Sequence, residues 1–167
     1  VARPSQAGSG PGLLVFQEAF GVNAHIRDMT ERFARQGYTA IAPALFHRTD
    51  PNFEGSYTNF DPVKAHMGAL TEDSLISDAK AAYDWLTSGT GGQANAVGSI
   101  GYCLGGRVSY LSDATLPLQA SVSYYGGGIV PGLLGRVGDL HAPILFLWGG
   151  KDGHIGPSAG GAGQCTL

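Results

Sequence analysis

"GYCLGG", residues 101–106, is the stretch whose reading decides the fold. It joins "AVGSIGY" (96–102), small and apolar residues that read as a strand, to "LGGRVSYLSDA" (104–114), which reads as a helix. Cys103 therefore stands on a sharp strand-to-helix turn, with Gly101 and Gly105 two places to either side. Such a turn strains its central residue and projects the side chain outward. The positions two residues away must be small, or side chains would clash across the turn. The spacing is G-x-C-x-G, the cysteine form of the G-x-S-x-G elbow. On this reading Cys103 is a nucleophile. The Leu104 N–H stands beside the sulfur, suited to an oxyanion, and the start of the following helix lowers the thiol pKa. Two other readings compete. Cys103 is equally a candidate inert buried cysteine in a glycine-rich helix start. Gly101 and Gly106 also have phosphate-loop spacing, but Arg107 and Val108 stand where that loop needs Lys and Ser or Thr.

Working outward, "LLVF" (13–16), "YTAIA" (38–42), "AVGSIGY" (96–102), "ASVSYY" (120–125) and "ILFLW" (144–148) are apolar runs without strict alternation, the pattern of strands covered on both faces. Between them lie helical spacings. Asn23 caps a segment in which Ile26, Met29, Phe33 and Ala34 share a face, and Gly37 ends it. Over 72–88, Leu75, Ile76, Ala79, Tyr83 and Leu86 do the same, with Gly89 as the expected cap. Strands alternating with helices predict an α/β fold: a mainly parallel sheet with helices on both faces. Residues 43–71 read as a long irregular stretch, either a binding loop or a solvated insertion. The expected organisation is a flexible N-terminal segment over 1–12, one domain over 13–157, and an irregular tail over 158–167.

Composition sets limits. The chain has 167 residues, 43% apolar and 14% charged, with net charge −3 and a pI near 5.9. This is a globular composition, and a nucleic-acid partner is not expected without a basic patch. No apolar run approaches the roughly 20 residues that span a bilayer. Two cysteines, Cys103 and Cys165, are too few for a disulfide framework, so a cytoplasmic setting is the expectation. The five histidines lack metal-site spacing, and neither a metal nor an organic cofactor is expected.

In parallel sheets, ligands bind at the carboxyl ends of the strands. Those ends carry "QEAFG" with Glu18, "GYCLGG" with Cys103, "YYGGG", and "GGKDGH" with Asp152. Together, "QEAFGVN", "GYCLGG", "YYG" and "GGKD", in this order, resemble the dienelactone hydrolases of the α/β-hydrolase superfamily, carboxymethylenebutenolidase-like enzymes with a three-layer fold. The resemblance covers about residues 13–157. It implies a cysteine hydrolase acting on a small lactone or carboxylic ester, dienelactone to maleylacetate in the family. It further implies that Cys103 is the nucleophile, Asp152 the acid that orients a histidine, and Glu18 the carboxylate that contacts the resting cysteine. The N–H groups of Leu104 and Ala19 would form the oxyanion hole.

The resemblance also implies that N-terminal and C-terminal strands of the family pattern fall outside this chain, together with the family histidine. Of the five histidines, His154 alone lies near Asp152 and is the candidate substitute base. His25 reads as a surface residue, and His47 and Arg48 as lining the pocket mouth. Phe20, Tyr102, Tyr124, Tyr125, Phe60 and Lys64 are candidate pocket residues, with Phe53, Tyr57 and Trp148 as further aromatic wall. Of the family arginines that grip a substrate carboxylate, one falls in the C-terminal part of the family pattern outside this chain, and the other has no match, since no arginine lies between Thr49 and Gly106. The competing expectation is a catalytically impaired fragment or pseudoenzyme that binds a small apolar ligand or a partner chain. An exposed sheet edge would allow a homodimer.

Overall fold

The computed structural model describes residues 1–4, 10–89, 91–153 and 155. Among them, five strands form one sheet: β1 (Gly12–Phe16), β2 (Thr39–Ile41), β3 (Val97–Tyr102), β4 (Ala120–Tyr124) and β5 (Ile144–Leu147). Their spatial order is β2-β1-β3-β4-β5, and every pairing is parallel. Helix α1 (Ala24–Arg35) covers one face of the sheet. Helices α3 (Glu72–Thr87) and α4 (Leu104–Asp113) cover the other, and α2 (Asp61–Gly68) lies between β2 and α3 in the chain. This is the expected three-layer α/β fold.

The elements follow from their residues. β1 is buried along its whole length, as a strand covered on both faces must be. Asn23 caps α1 by accepting from the Ile26 N–H, and Ile26, Thr30 and Ala34 form the buried face while Met29 and Phe33 pack partly against the same layer. Thr71 and Ser74 make a reciprocal capping box at the start of α3. That helix buries Leu75, Ala79, Ala82 and Leu86. α4 is buried at nine of its ten positions, Arg107 excepted. It is tied to the sheet by a serine chain, with Ser99 Oγ 2.7 Å from Ser109 Oγ and 3.0 Å from Ser121 Oγ. Below it, the buried carboxylate of Asp113 accepts from the His141 and Ala142 N–H groups just before β5.

Three details differ from expectation. Residues 43–71 are not wholly irregular, because Asp61–Gly68 is helical with Pro62 in its first turn. Only Val63 of that helix is buried, so it carries no apolar stripe to read. Helix α3 is capped by Ser88 rather than by Gly89. Near the N-terminus, Ala2 pairs with Ala40 of β2 through two backbone bonds of 2.9 Å, so this part of the segment is docked on the sheet edge. Among the described residues, no helix is long and apolar enough to cross a membrane.

Candidate active site

The sheet register aligns the strand ends. Phe16 lies opposite Gly101, Tyr102 opposite Tyr124, and Tyr124 opposite Leu147. The residues that follow each strand therefore meet at one edge. An apolar recess of about 320 Å³ lies at the opposite end, where Gly12, Val97 and Ala120 begin their strands, and so is remote from Cys103.

Cys103 has φ +55° and ψ −113°, backbone that a residue with a Cβ seldom adopts. Strain of this kind persists where the surroundings fix it, and it gathers at functional sites. The surroundings here are glycines in close approach. A Cβ on Gly101 would lie 1.8 Å from the Gly105 carbonyl oxygen, and one on Gly105 would lie 2.3 Å from that of Phe16. Both small residues are thus demanded by the turn. The Cys103 N–H donates to the Tyr124 carbonyl at 3.0 Å, tying the elbow to β4.

The thiol is pushed above its ordinary pKa. Burial is the largest cause; the charges of Glu18 and Asp152 act the same way, while the backbone N–H groups of Leu104 and Ala19 pull it down. The helix start thus acts in the expected direction, but desolvation outweighs it. Desolvation thus favours the neutral thiol, and attack calls for a proton acceptor.

Glu18 follows β1 beside this sulfur. Its backbone is anchored through Gln17, a fully buried side chain that donates to the Glu18 carbonyl at 3.2 Å and accepts from the Leu45 N–H at 3.0 Å. The Glu18 carboxylate accepts from the Tyr57 hydroxyl at 2.7 Å and from the Tyr125 hydroxyl at 3.2 Å. Among the described residues, the structure shows these tyrosines, rather than the thiol, as its hydrogen-bond partners. Tyr57 in turn accepts from Asn23 Nδ2 at 3.1 Å. Tyr125 has a positive φ of 41°, a second strained residue at the same edge. Burial, then the Glu18 charge and the bond to it, push the Tyr125 hydroxyl well above the usual range.

Asp152 lies on the loop after β5, close enough for its charge to act on Cys103, and its carboxylate accepts from the Ile155 N–H at 2.9 Å. His154 lies outside the described residues. Among the described residues, no His, Cys, Asp and Glu group is arranged to hold a metal ion.

The other expected pocket residues divide. Phe20 and Tyr57 pack with ring centroids 4.3 Å apart, and Phe60 meets Phe20 edge-on at 6.0 Å. Tyr102 and Tyr124 stack at 5.2 Å and join the apolar layer under α1, so much of each is structural. Lys64 is exposed and bound to Asp61 at 2.6 Å. His47 and Arg48 do not form a free pocket mouth: both are tied to Asp78 of α3, Arg48 by two bonds of 2.7 Å. Phe53 packs on Phe46 and His66, and Trp148 stacks on Phe146. His25 is exposed, as expected. Sequence reasoning treated Tyr57 only as apolar wall, because no local signal marks a bond that crosses 39 positions.

A parallel sheet between helical layers, with a strained cysteine at the turn from its central strand into a helix, defines an α/β hydrolase. Within that class, the chain belongs to the dienelactone hydrolase family, whose model matches residues 1–160. It is 40% identical over 134 residues to a Synechocystis protein assigned as a carboxymethylenebutenolidase, covering 77% of this chain and 53% of that protein. An Escherichia coli K12 protein with the same assignment is 38% identical over 165 residues, covering 92% of this chain and 59% of its own length. A crystal structure from Klebsiella pneumoniae, assigned as a dienelactone hydrolase, superposes with a TM-score of 0.76 at 35% identity, covering 94% of this chain and 68% of that one. The chain thus spans little more than half the length of these curated relatives.

Proposed function

We propose that this protein is a carboxylic ester hydrolase that opens a small lactone or ester through Cys103. The observation that carries the reading is the pair of N–H groups, Leu104 and Ala19, that converge on the Cys103 sulfur from two different strand ends. Two donors fixed before reaction stabilise the charge that develops on a carbonyl oxygen, and they need not reorganise as it forms. The strained elbow and the family membership support the same assignment.

The steps balance as follows. The thiol proton passes to a carboxylate, for which Glu18, whose charge acts on this sulfur, is the candidate. The sulfur adds to the carbonyl carbon, and the oxyanion rests on the two N–H groups. Collapse breaks the carbon–oxygen bond, leaves a thioester on Cys103, and returns a proton to the leaving alkoxide. Water then hydrolyses the thioester, a step that needs a general base. Asp152 is the residue proposed to orient that base.

A chromogenic acetate ester, with intact mass spectrometry of the protein and of Cys103→Ala, tests this. Turnover, or an acetyl adduct of 42 Da, roughly, that maps to Cys103 and vanishes in Cys103→Ala is the expected result. Neither adduct nor turnover would overturn it in favour of a non-catalytic ligand-binding role.

A further inference from the structure

We propose that the Tyr57 hydroxyl is the general acid of this site, relaying the proton that Glu18 takes from Cys103 to the leaving alkoxide. The inference deepens the reading of Cys103 as the acylated nucleophile and rests on it.

The first observation is where Tyr57 stands. Its hydroxyl donates to Glu18 Oε2 at 2.7 Å, and its ring packs on Phe20 with centroids 4.3 Å apart. Glu18 and Phe20 are the chain neighbours of Ala19, whose N–H acts on the Cys103 sulfur. Tyr57 thus straddles one arm of the oxyanion hole. It is also 61% exposed, and so open to an entering ester.

The second observation is the direction of the hydrogen bonds. Asn23 Oδ1 accepts from the Ile26 N–H at 3.1 Å, which turns Asn23 Nδ2 toward the Tyr57 oxygen, 3.1 Å away. That oxygen accepts from Asn23, so the single Tyr57 proton points to Glu18. A helix cap therefore orients the whole chain from Asn23 through Tyr57 to the carboxylate.

The third observation is what restrains that proton. Burial is the largest cause raising the Tyr57 pKa, followed by the bond to Glu18; the Asn23 donor lowers it, and the Glu18 charge adds to the rise. Both Glu18 effects end when Glu18 is protonated, while the Asn23 donor stays to support a developing phenolate. The acid is weak at rest and strengthens once the thiol has given up its proton. Tyr125, the other donor to Glu18, is the poorer acid. Burial, Glu18 and the Cys103 charge all raise it, and no side chain among the described residues donates to its oxygen.

The protons balance. Glu18 takes the thiol proton as sulfur bonds to the carbonyl carbon. The protonated carboxyl then donates to the Tyr57 oxygen, which frees the tyrosine's own proton. That proton passes to the alkoxide as the carbon–oxygen bond breaks, and the Glu18 proton replaces it on Tyr57. Tyr57 ends as a hydroxyl, Glu18 as a carboxylate, and the thiol proton's equivalent leaves on the alcohol.

A leaving-group series tests this on the whole chain. 4-Nitrophenyl, phenyl and 2,2,2-trifluoroethyl acetate deliver the same acyl group, but their leaving groups are increasingly basic and increasingly need a proton. Acetylation of Cys103 is timed by quenched intact mass and located by peptide mass. All three esters should acetylate the parent. Tyr57→Phe should slow the 4-nitrophenyl ester by no more than about tenfold and the trifluoroethyl ester by about a hundredfold or more. Asn23→Ser keeps a capping oxygen but loses the donor to Tyr57, and it should steepen the leaving-group dependence about tenfold in the same direction. A Tyr57→Phe protein slowed by one common factor on all three esters would overturn the inference, because a residue that only positions Glu18 acts before the leaving group matters. A parent that accepts the 4-nitrophenyl ester alone would overturn it too. Both results leave the hydrolase reading intact. A parent that no ester acetylates at Cys103 would overturn the hydrolase reading and this inference with it.

Discussion

The position that a Cβ of residue 101 would occupy lies 1.8 Å from the carbonyl oxygen of Gly105, so the strand before the elbow and the helix after it touch backbone to backbone. Neither partner is a flexible side chain that yields. Gly101→Ala should therefore destabilise the fold by about 3 kcal/mol or more, lowering the melting temperature by roughly 6–12 °C. Gly68→Ala is the control. It sits at the end of α2 with nothing within 4 Å of its Cβ position, and its melting temperature should stay within about 2 °C of the parent's.

Tyr57 and Asn23 allow function to be separated from stability. Tyr57→Phe removes one of the two hydroxyls on Glu18 and leaves the ring on Phe20. Acylation of Cys103 should slow by about three- to tenfold, with little change in melting temperature because Tyr57 is largely exposed. Asn23→Ala loses the donor to Tyr57 and also the cap of α1. It should slow acylation similarly and also cost about 1 kcal/mol of stability. Stopped-flow acylation and thermal melts on both variants check the contrast.

Alkaline pH should weaken the fold. Burial is the main cause raising the pKa of Cys103, Tyr57, Tyr102, Tyr110 and Tyr125, with Tyr102 pushed up to about 12. A group whose folded pKa is raised adds stability that is intact below its unfolded value and is lost as pH climbs through the folded one. The loss should begin near pH 9, about the unfolded cysteine and tyrosine values, and continue toward pH 12. Absorbance near 295 nm should show the Tyr57, Tyr102, Tyr110 and Tyr125 hydroxyls ionising late, as the protein unfolds.

Asp113 should prove structural. Its Oδ1 accepts two backbone N–H groups ahead of β5, and both lose their partner in Asp113→Ala. A cost of about 2–4 kcal/mol follows from two donors left in the interior, and Asp113→Asn, which keeps an acceptor, should lose less. Chemical denaturation of the two variants measures the difference.

The sheet and its helices were legible because each is written locally. β3 and α4 begin within one residue of the expected positions, and the side chain of Asn23 caps α1 as its type suggests. The meeting of Glu18, Ala19, Cys103 and Leu104 at one edge followed from the rule that places function at the carboxyl ends of strands. What was not legible depends on tertiary contact. Arg48 could not be seen to close on Asp78, 30 positions away, and was assigned to the pocket instead. The direction of the Cys103 shift was misjudged because adjacency to a helix start is visible in sequence and depth of burial is not.

Gln17 has a consequence for how this scaffold tolerates change. One amide side chain clamps the Glu18 carbonyl and the Leu45 N–H, so the chain is staked down where it leaves β1 and again just after β2. Downstream of that second stake, residues 47–60 come back to the same loop, where the Gly55 N–H donates to the Phe20 carbonyl at 3.0 Å and the Tyr57 hydroxyl donates to Glu18. New substrate ranges would then come from side-chain changes within that segment that keep its length and these two ties, rather than from rebuilding the elbow.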